Sequence, residues 1–227
     1  MANGLDRVTG DYNDFWARRD LMNYMETFKT PVLMAHAFND WNVVPSHSYR
    51  FSKVLKEKGI PLQMYYHQGG HGGEPPFTMM NRWFTRYLFG VENGVENDPR
   101  ARIVRESADR LSPTPYADYP NPEALPVTFF LTRGAPATGA LVTEKSSKQG
   151  TETLTDNFSF TGASLAQAEY SDHRLLFVTP VLTEAAHISG VVSVTVRASA
   201  SKPAVNLSVW LVALPWTNSR EPKITDN

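Results

Sequence analysis

Apolar residues in the first part of the chain alternate between two periods, and each period predicts an element. From Asp11 to Met25, Tyr12, Phe15, Trp16, Arg19, Met22 and Met25 recur at spacings of three and four, the mark of one face of an amphipathic helix. The run PVLMAHAF, Pro31 to Phe38, is short, almost wholly apolar and led by proline, which predicts a parallel strand covered on both faces. SHSYRFSKVLKEKG then reads as a helix, with Ser46 as candidate N-cap and Gly59 at the C′ position. LQMYYH, Leu62 to His67, gives a second strand. FTMMNRWFTRYLFG gives a closing helix, with Met80, Trp83, Phe84, Tyr87 and Leu88 inward and Gly90 as its stop. The expected order is αβαβα.

From about Asn93 the pattern changes. VENGVENDPRARIVRESADRLSPTPYADYPNPEALP is rich in Pro, Asp and Asn, as suits a connector that wraps over a surface. Beyond it, VTFFL, RLLFVTPVL, GVVSVTVRASA and NLSVWLVAL are β-branched or aromatic runs broken by turn residues. Val192, Val194 and Val196 alternate with Ser193, Thr195 and Arg197, the period of a strand with one buried face. The fold class expected is α/β plus β: alternating helices and parallel strands over residues 1–97, then a β-sandwich over 98–227.

Composition narrows the function classes. The chain has 227 residues, enough for two units, with 22 Lys plus Arg against 23 Asp plus Glu and a net charge of −1. That balance provides no field for gathering nucleic acid or an anionic membrane surface. No apolar run approaches the roughly 20 residues that span a bilayer, and MANGLDRVTGDYNDF lacks the regions of a signal peptide. With no cysteine, disulfides and thiolate chemistry are excluded. The expectation is a protein with no nucleic-acid or membrane partner, in the cytoplasm or alternatively secreted, open to homo-oligomer formation.

The candidate chemistry lies just past the two strands. Asp40 follows the first, and His71 follows the second within HQGGHGG. In open α/β sheets, functional groups cluster beyond the carboxyl ends of the strands, so both loops emerge on one edge. A buried carboxylate that orients a histidine through Nδ1, leaving Nε2 to accept a proton from a serine, is the acid and base half of a hydrolase triad. Asp before His, with a helix and a strand between, matches the chain order of α/β-hydrolases. Gly69, Gly70, Gly72 and Gly73 give the backbone freedom to turn the histidine into a cleft. Each residue alone has a plainer reading, since Asp in such a loop is commonly a turn former or helix cap and His between glycines a turn residue.

Other candidates weigh less. His67 and His71 could suggest a metal, but their imidazoles have no fixed relative direction and no third ligand is near in the sequence, so no metal is expected. His36, at a strand end, reads as a hydrogen-bonded core histidine. No G-x-S-x-G elbow occurs, and GASLA around Ser164 lies after the histidine in the β-rich half. The nucleophile is therefore expected upstream of Met1, the chain being read as a fragment lacking the nucleophile-bearing N-terminal part and cut short at its C-terminus.

TGDYNDFW, PVLMAHAFNDWNVVPSHSYRF, YYHQGGHGG and SKPAVNLSVWLVALPW, in that order, resemble the Xaa-Pro dipeptidyl-peptidase family. The resemblance implies a serine exopeptidase with an α/β-hydrolase domain and a jelly-roll-like C-terminal domain. It implies Asp40 as triad acid, His71 as triad base, and Asn42 at the substrate site. It further implies release of an N-terminal dipeptide from a peptide with proline at the second position, through an acyl-enzyme and with no cofactor. Two alternatives stand beside it. One is an acyl esterase or amino-acid ester hydrolase with the same triad. The other is a non-catalytic β-sandwich binding module, with Trp210 and Trp216 as stacking platforms.

Overall fold

The computed structural model describes residues 4, 6, 8–40, 42–105, 108–145, 147, 150–202, 205 and 207–215. Trp216 lies outside them. The chain packs as two compact units, one of residues 1–119 with 191–211, the other of 120–190 with 212–227.

The first unit is built on a four-stranded sheet in the order β1-β2-β3-β4, with β1 Val32–Ala37, β2 Leu62–His67, β3 Ala101–Ile103 and β4 Thr114–Tyr116. β1 and β2 pair in parallel from Val32 with Leu62 to Ala37 with His67, and β3 continues the parallel set beside β2. β4 closes the edge antiparallel to β3. Thus Ala37 and His67 sit side by side at the carboxyl ends, and the loops that follow start level. Helix α2, Ser46–Glu57, links β1 to β2, and α3, Phe77–Phe89, links β2 to β3. Every residue of β2 is buried, as a central parallel strand requires. Leu55, Met64 and Tyr66 form the heart of the core, with Phe38 stacked on Tyr66 at 5.1 Å between ring centroids.

The connector takes regular structure where the sequence suggested a surface wrap, because its segment 101–103 supplies the ladder partner on the second side of β2 and its segment 114–116 in turn pairs with 101–103. Asp118 fixes that arrangement, accepting from Lys56 Nζ of α2 at 3.2 Å and from Arg100 Nη1 at 2.8 Å.

Three other departures are local. The stretch expected as one N-terminal helix forms α1, Asp14–Ala17, and then a separate 3-10 segment, Leu21–Thr27. Asn13 caps the first and Asp20 the second, its side chain accepting from Met22 N–H. A capping aspartate with extended backbone in mid-pattern breaks the helix there. In α3 the buried residues are Met79 and Trp83, whereas Phe84 and Leu88 are exposed, so the inward face is rotated from the expected one. Pro45 rather than Ser46 occupies the N-cap of α2. Gly59 and Gly90 end α2 and α3 in the left-handed region.

The second unit holds a smaller mixed sheet, β5 Phe130–Leu131, β6 Gly139–Val142 and β7 Phe177–Val178, with β5 antiparallel and β7 parallel to β6. The runs around Val192 and Leu207 form no strand among the described residues. Val192, Val194 and Val196 are 53%, 46% and 53% exposed. Alternation alone does not make a strand; it needs a neighbouring ladder and a face to cover. Ser164 lies in α4, Gly162–Gln167, where its hydroxyl donates to Thr161 O at 2.7 Å. Arg174 is buried there, and its guanidinium donates to the carbonyls of Ala135, Pro136, Ala137, Leu165 and Ala168.

Candidate active site

Asp40 follows β1 by a two-residue turn and is 6% exposed. The chain folds back over it because its own carboxylate organises the turn: Oδ1 accepts the backbone N–H groups of Asn42 and Val43, each at 2.9 Å. This is an Asx-type turn, the plainer role available to any loop aspartate. The second oxygen is free of that duty and faces two histidines. Oδ2 lies 2.9 Å from Nδ1 of His71 and 3.3 Å from Nε2 of His36. One carboxylate therefore serves the turn with one oxygen and a side-chain pair with the other.

His71 reaches this position from the loop after β2. Its side chain is 60% exposed against 5% for that of Asp40, so the pair joins a buried carboxylate to an imidazole open to solvent. Against a carboxylate, Nδ1 carries the proton and donates, so in the neutral ring Nε2 is the acceptor on the open side. Among the described residues no hydroxyl is hydrogen-bonded to that Nε2.

Burial by itself would raise the Asp40 carboxyl, but the hydrogen bonds from Val43, His71 and Asn42 together outweigh it and hold the group below its ordinary value. The carboxylate is thus ionised at neutral pH, the state needed to orient an imidazole. His36, expected as a hydrogen-bonded core histidine, donates from Nε2 to Val43 O at 2.7 Å and presents the same N–H to Asp40 Oδ2. Its part in the carboxylate's surroundings was not readable from spacing, although its place near the end of β1, four residues before Asp40, was a signal that both share one strand end. Asn42 is exposed, and it is the backbone N–H of this residue that Asp40 holds.

Both loops are tied to each other and to the sheet. Asn39 Nδ2 donates to Gln68 O at 2.7 Å, and Gln68 Nε2 donates to Val104 O at 3.1 Å. His67, the last residue of β2, is 2% exposed and has both ring nitrogens engaged by backbone groups of its own loop. An ionised carboxylate, an imidazole in the Nδ1–H tautomer and an open Nε2 can take a proton from a hydroxyl and return it to a leaving group.

Comparison with known proteins follows the same residues. The family model described as X-Pro dipeptidyl-peptidase (S15 family) matches residues 2–73, and that described as X-Pro dipeptidyl-peptidase C-terminal non-catalytic domain matches residues 93–226. A Rhodopirellula baltica protein named "Putative Xaa-Pro dipeptidyl-peptidase" is 56% identical over 227 residues, which is 100% of this chain and 36% of that protein. One of the same name from Bacillus anthracis is 31% identical, covering 93% of this chain and 36% of its own length. The Xaa-Pro dipeptidyl-peptidase of Lacticaseibacillus rhamnosus is 29% identical over 94% of this chain and 28% of its own. The chain therefore spans about a third of the length of these relatives. The expectation of a fragment lacking the nucleophile-bearing part is overturned by the first match: the peptidase family's own model lies on residues 2–73, so the catalytic S15 domain is represented in this chain, Asp40 and His71 included.

Proposed function

Since the chain belongs to the X-Pro dipeptidyl-peptidase family, we propose that Asp40 and His71 are the acid and base of a serine exopeptidase that releases N-terminal Xaa-Pro dipeptides. The observation that carries this reading is the 2.9 Å bond from His71 Nδ1 to a buried carboxylate at the ends of adjacent parallel strands. In the reaction, His71 Nε2 takes the proton of a serine hydroxyl as the hydroxyl oxygen attacks the carbonyl carbon of the proline. The resulting imidazolium, held by Asp40, gives that proton to the departing amine. Water then repeats the sequence on the acyl-enzyme, with His71 again as base and then acid. Asp40 stays ionised throughout. Asn42 sits two residues past the acid on the open side, and its side-chain amide is offered to a substrate carbonyl.

Residues 1–97 are read as the part of the α/β-hydrolase domain that carries acid and base, and 98–227 as a jelly-roll-like β-domain. The start of the non-catalytic family model at residue 93 supports that division. On this reading, residues 98–119 are the link that lends β3 and β4 to the α/β sheet.

The test is a substrate panel on an enzyme of the relatives' length that carries this sequence. Gly-Pro-anilide should be cleaved at least about a hundredfold faster in kcat/KM than N-acetyl-Gly-Pro-anilide or Gly-Ala-anilide, a difference of roughly 2.7 kcal/mol. Hydrolysis confined to simple esters would replace the peptidase with an esterase using the same pair.

A further inference from the structure

Resting on the reading of His71 as base, we propose that His67 is its positioning residue, clamping the loop that carries His71 through both ring nitrogens. His67 Nδ1 accepts the N–H of Gly69 at 3.0 Å, and Nε2 lies 2.9 Å from the carbonyl of Gly72. A carbonyl can only accept and an N–H can only donate, so both bonds exist together in one state alone: the neutral ring with its proton on Nε2. The two clamped residues flank His71, with Gly70 between Gly69 and the histidine. A rigid ring thus sets the width of the turn from which the base projects.

The glycines follow from the clamp. A Cβ on Gly69 would come within 2.9 Å of Nδ1, and one on Gly73 within 2.6 Å of Nε2. Gly73 is also at φ +105, where an L side chain is strained in any case. Freedom to turn is therefore only part of why the loop is glycine-rich; the other part is close approach to a buried ring. His67 is in turn fixed by its place at the end of β2, paired with Ala37 of β1, so the clamp refers the base to the same sheet edge that carries Asp40.

The surroundings favour the required neutral state. Burial, and after it the Arg110 guanidinium, hold the His67 imidazole below its ordinary value, with His36 acting in the same direction and Asp40 and the Gly72 bond opposing. Tyr65 packs at 5.7 Å between ring centroids. A doubly protonated ring would present a donor to the Gly69 N–H and open one side of the clamp.

Three variants separate the two bonds. His67→Gln keeps a donor at the Nε2 position, His67→Asn keeps an acceptor at the Nδ1 position, and His67→Phe keeps neither. In an enzyme of the relatives' length, His67→Gln and His67→Asn should each lower kcat about tenfold and His67→Phe about a hundredfold, with KM within about twofold, because a misplaced base slows chemistry without touching substrate binding. A folded His67→Phe enzyme with kcat within about twofold of the parent would overturn the proposal. If Asp40→Asn and His71→Ala are inactive in the same assay, that result removes the clamp and leaves the acid and base pair standing; if those two are active, the pair itself is wrong. Folding failure of the variants does not blunt the test, because the ring nitrogens of His67 in the unmodified chain can be assigned by 15N NMR. A neutral Nε2–H ring at about pH 7 is expected, and an Nδ1–H tautomer or an imidazolium there would overturn the clamp.

Discussion

Asp40→Asn should lower kcat by about ten-thousandfold while leaving the fold in place, the size expected when a triad histidine is held in the wrong tautomer. The geometry says why an isostere is so damaging. The backbone N–H groups of Asn42 and Val43 both donate to Oδ1, so the amide oxygen of the variant stays there and its NH2 group takes the Oδ2 position. That NH2 then faces Nδ1 of His71 and Nε2 of His36, two groups that had donated to the carboxylate. His71 can bond the NH2 only through an unprotonated Nδ1, which moves its proton to Nε2, where the hydroxyl should deliver one. His71→Ala removes the proton acceptor altogether and should cost several powers of ten as well. The turn survives in Asp40→Asn because its two backbone bonds remain. A melting temperature near the parent's with kcat down by this factor is the expected pair of readings; kcat within about tenfold would mean that Asp40 serves only the turn.

In the second unit the largest effect is expected from Arg174→Met, a loss of about 3 kcal/mol of stability in the segments it joins. Arg174 is 9% exposed, and its charge is met by five carbonyl groups rather than by a carboxylate. Burial lowers its proton affinity from the ordinary value, yet a guanidinium remains charged, so the carbonyls of 135–137 and of 165 and 168 must stay turned toward it. Methionine fills similar space without donors: Ala135 O and Pro136 O keep the amides of Leu176 and Ser171, while the carbonyls of Ala137, Leu165 and Ala168 lose the guanidinium that holds them together. Hydrogen exchange at the Gly139 and Leu176 amides, which bond Leu176 O and Ala135 O, reads the opening. Both should exchange faster by about a hundredfold, with the amides of β2 unchanged. Unchanged protection at Gly139 and Leu176 would show that the carbonyl cage is incidental.

The sequence made β1, α2, β2 and α3 legible because each is long enough to show its period and is bounded by proline or glycine. The same reading brought Asp40 and His71 to one edge, since parallel strands of equal length place their following loops level. What escaped was whatever depends on a partner distant in the chain. β3 and β4 are three residues each and carry no period of their own; pairing with β2 makes β3 a strand, and pairing with β3 makes β4 one. Arg174 looks like any charged surface residue until the turn at 135–137 and helix α4 close over it. His67 invited a metal reading or none, because a clamp on its own loop shows only when the backbone around it is placed. In the opposite direction, the valines from Val192 to Val196 have a clear strand period and no ladder to join among the described residues. The absence of a serine elbow pentapeptide also misled, because a motif search takes one pattern for a domain, whereas the family model reads the whole of residues 2–73.

The central claim is that His71 is an imidazole held by Asp40 with its proton on Nδ1 and its Nε2 open. Ring 15N shifts of His71, read through the ring carbon protons near pH 8, test this without substrate. The account requires an Nδ1–H ring in the unmodified chain that shifts to Nε2–H in Asp40→Asn. An Nε2–H ring before the substitution, or a His71 spectrum that the substitution leaves unchanged, would contradict it.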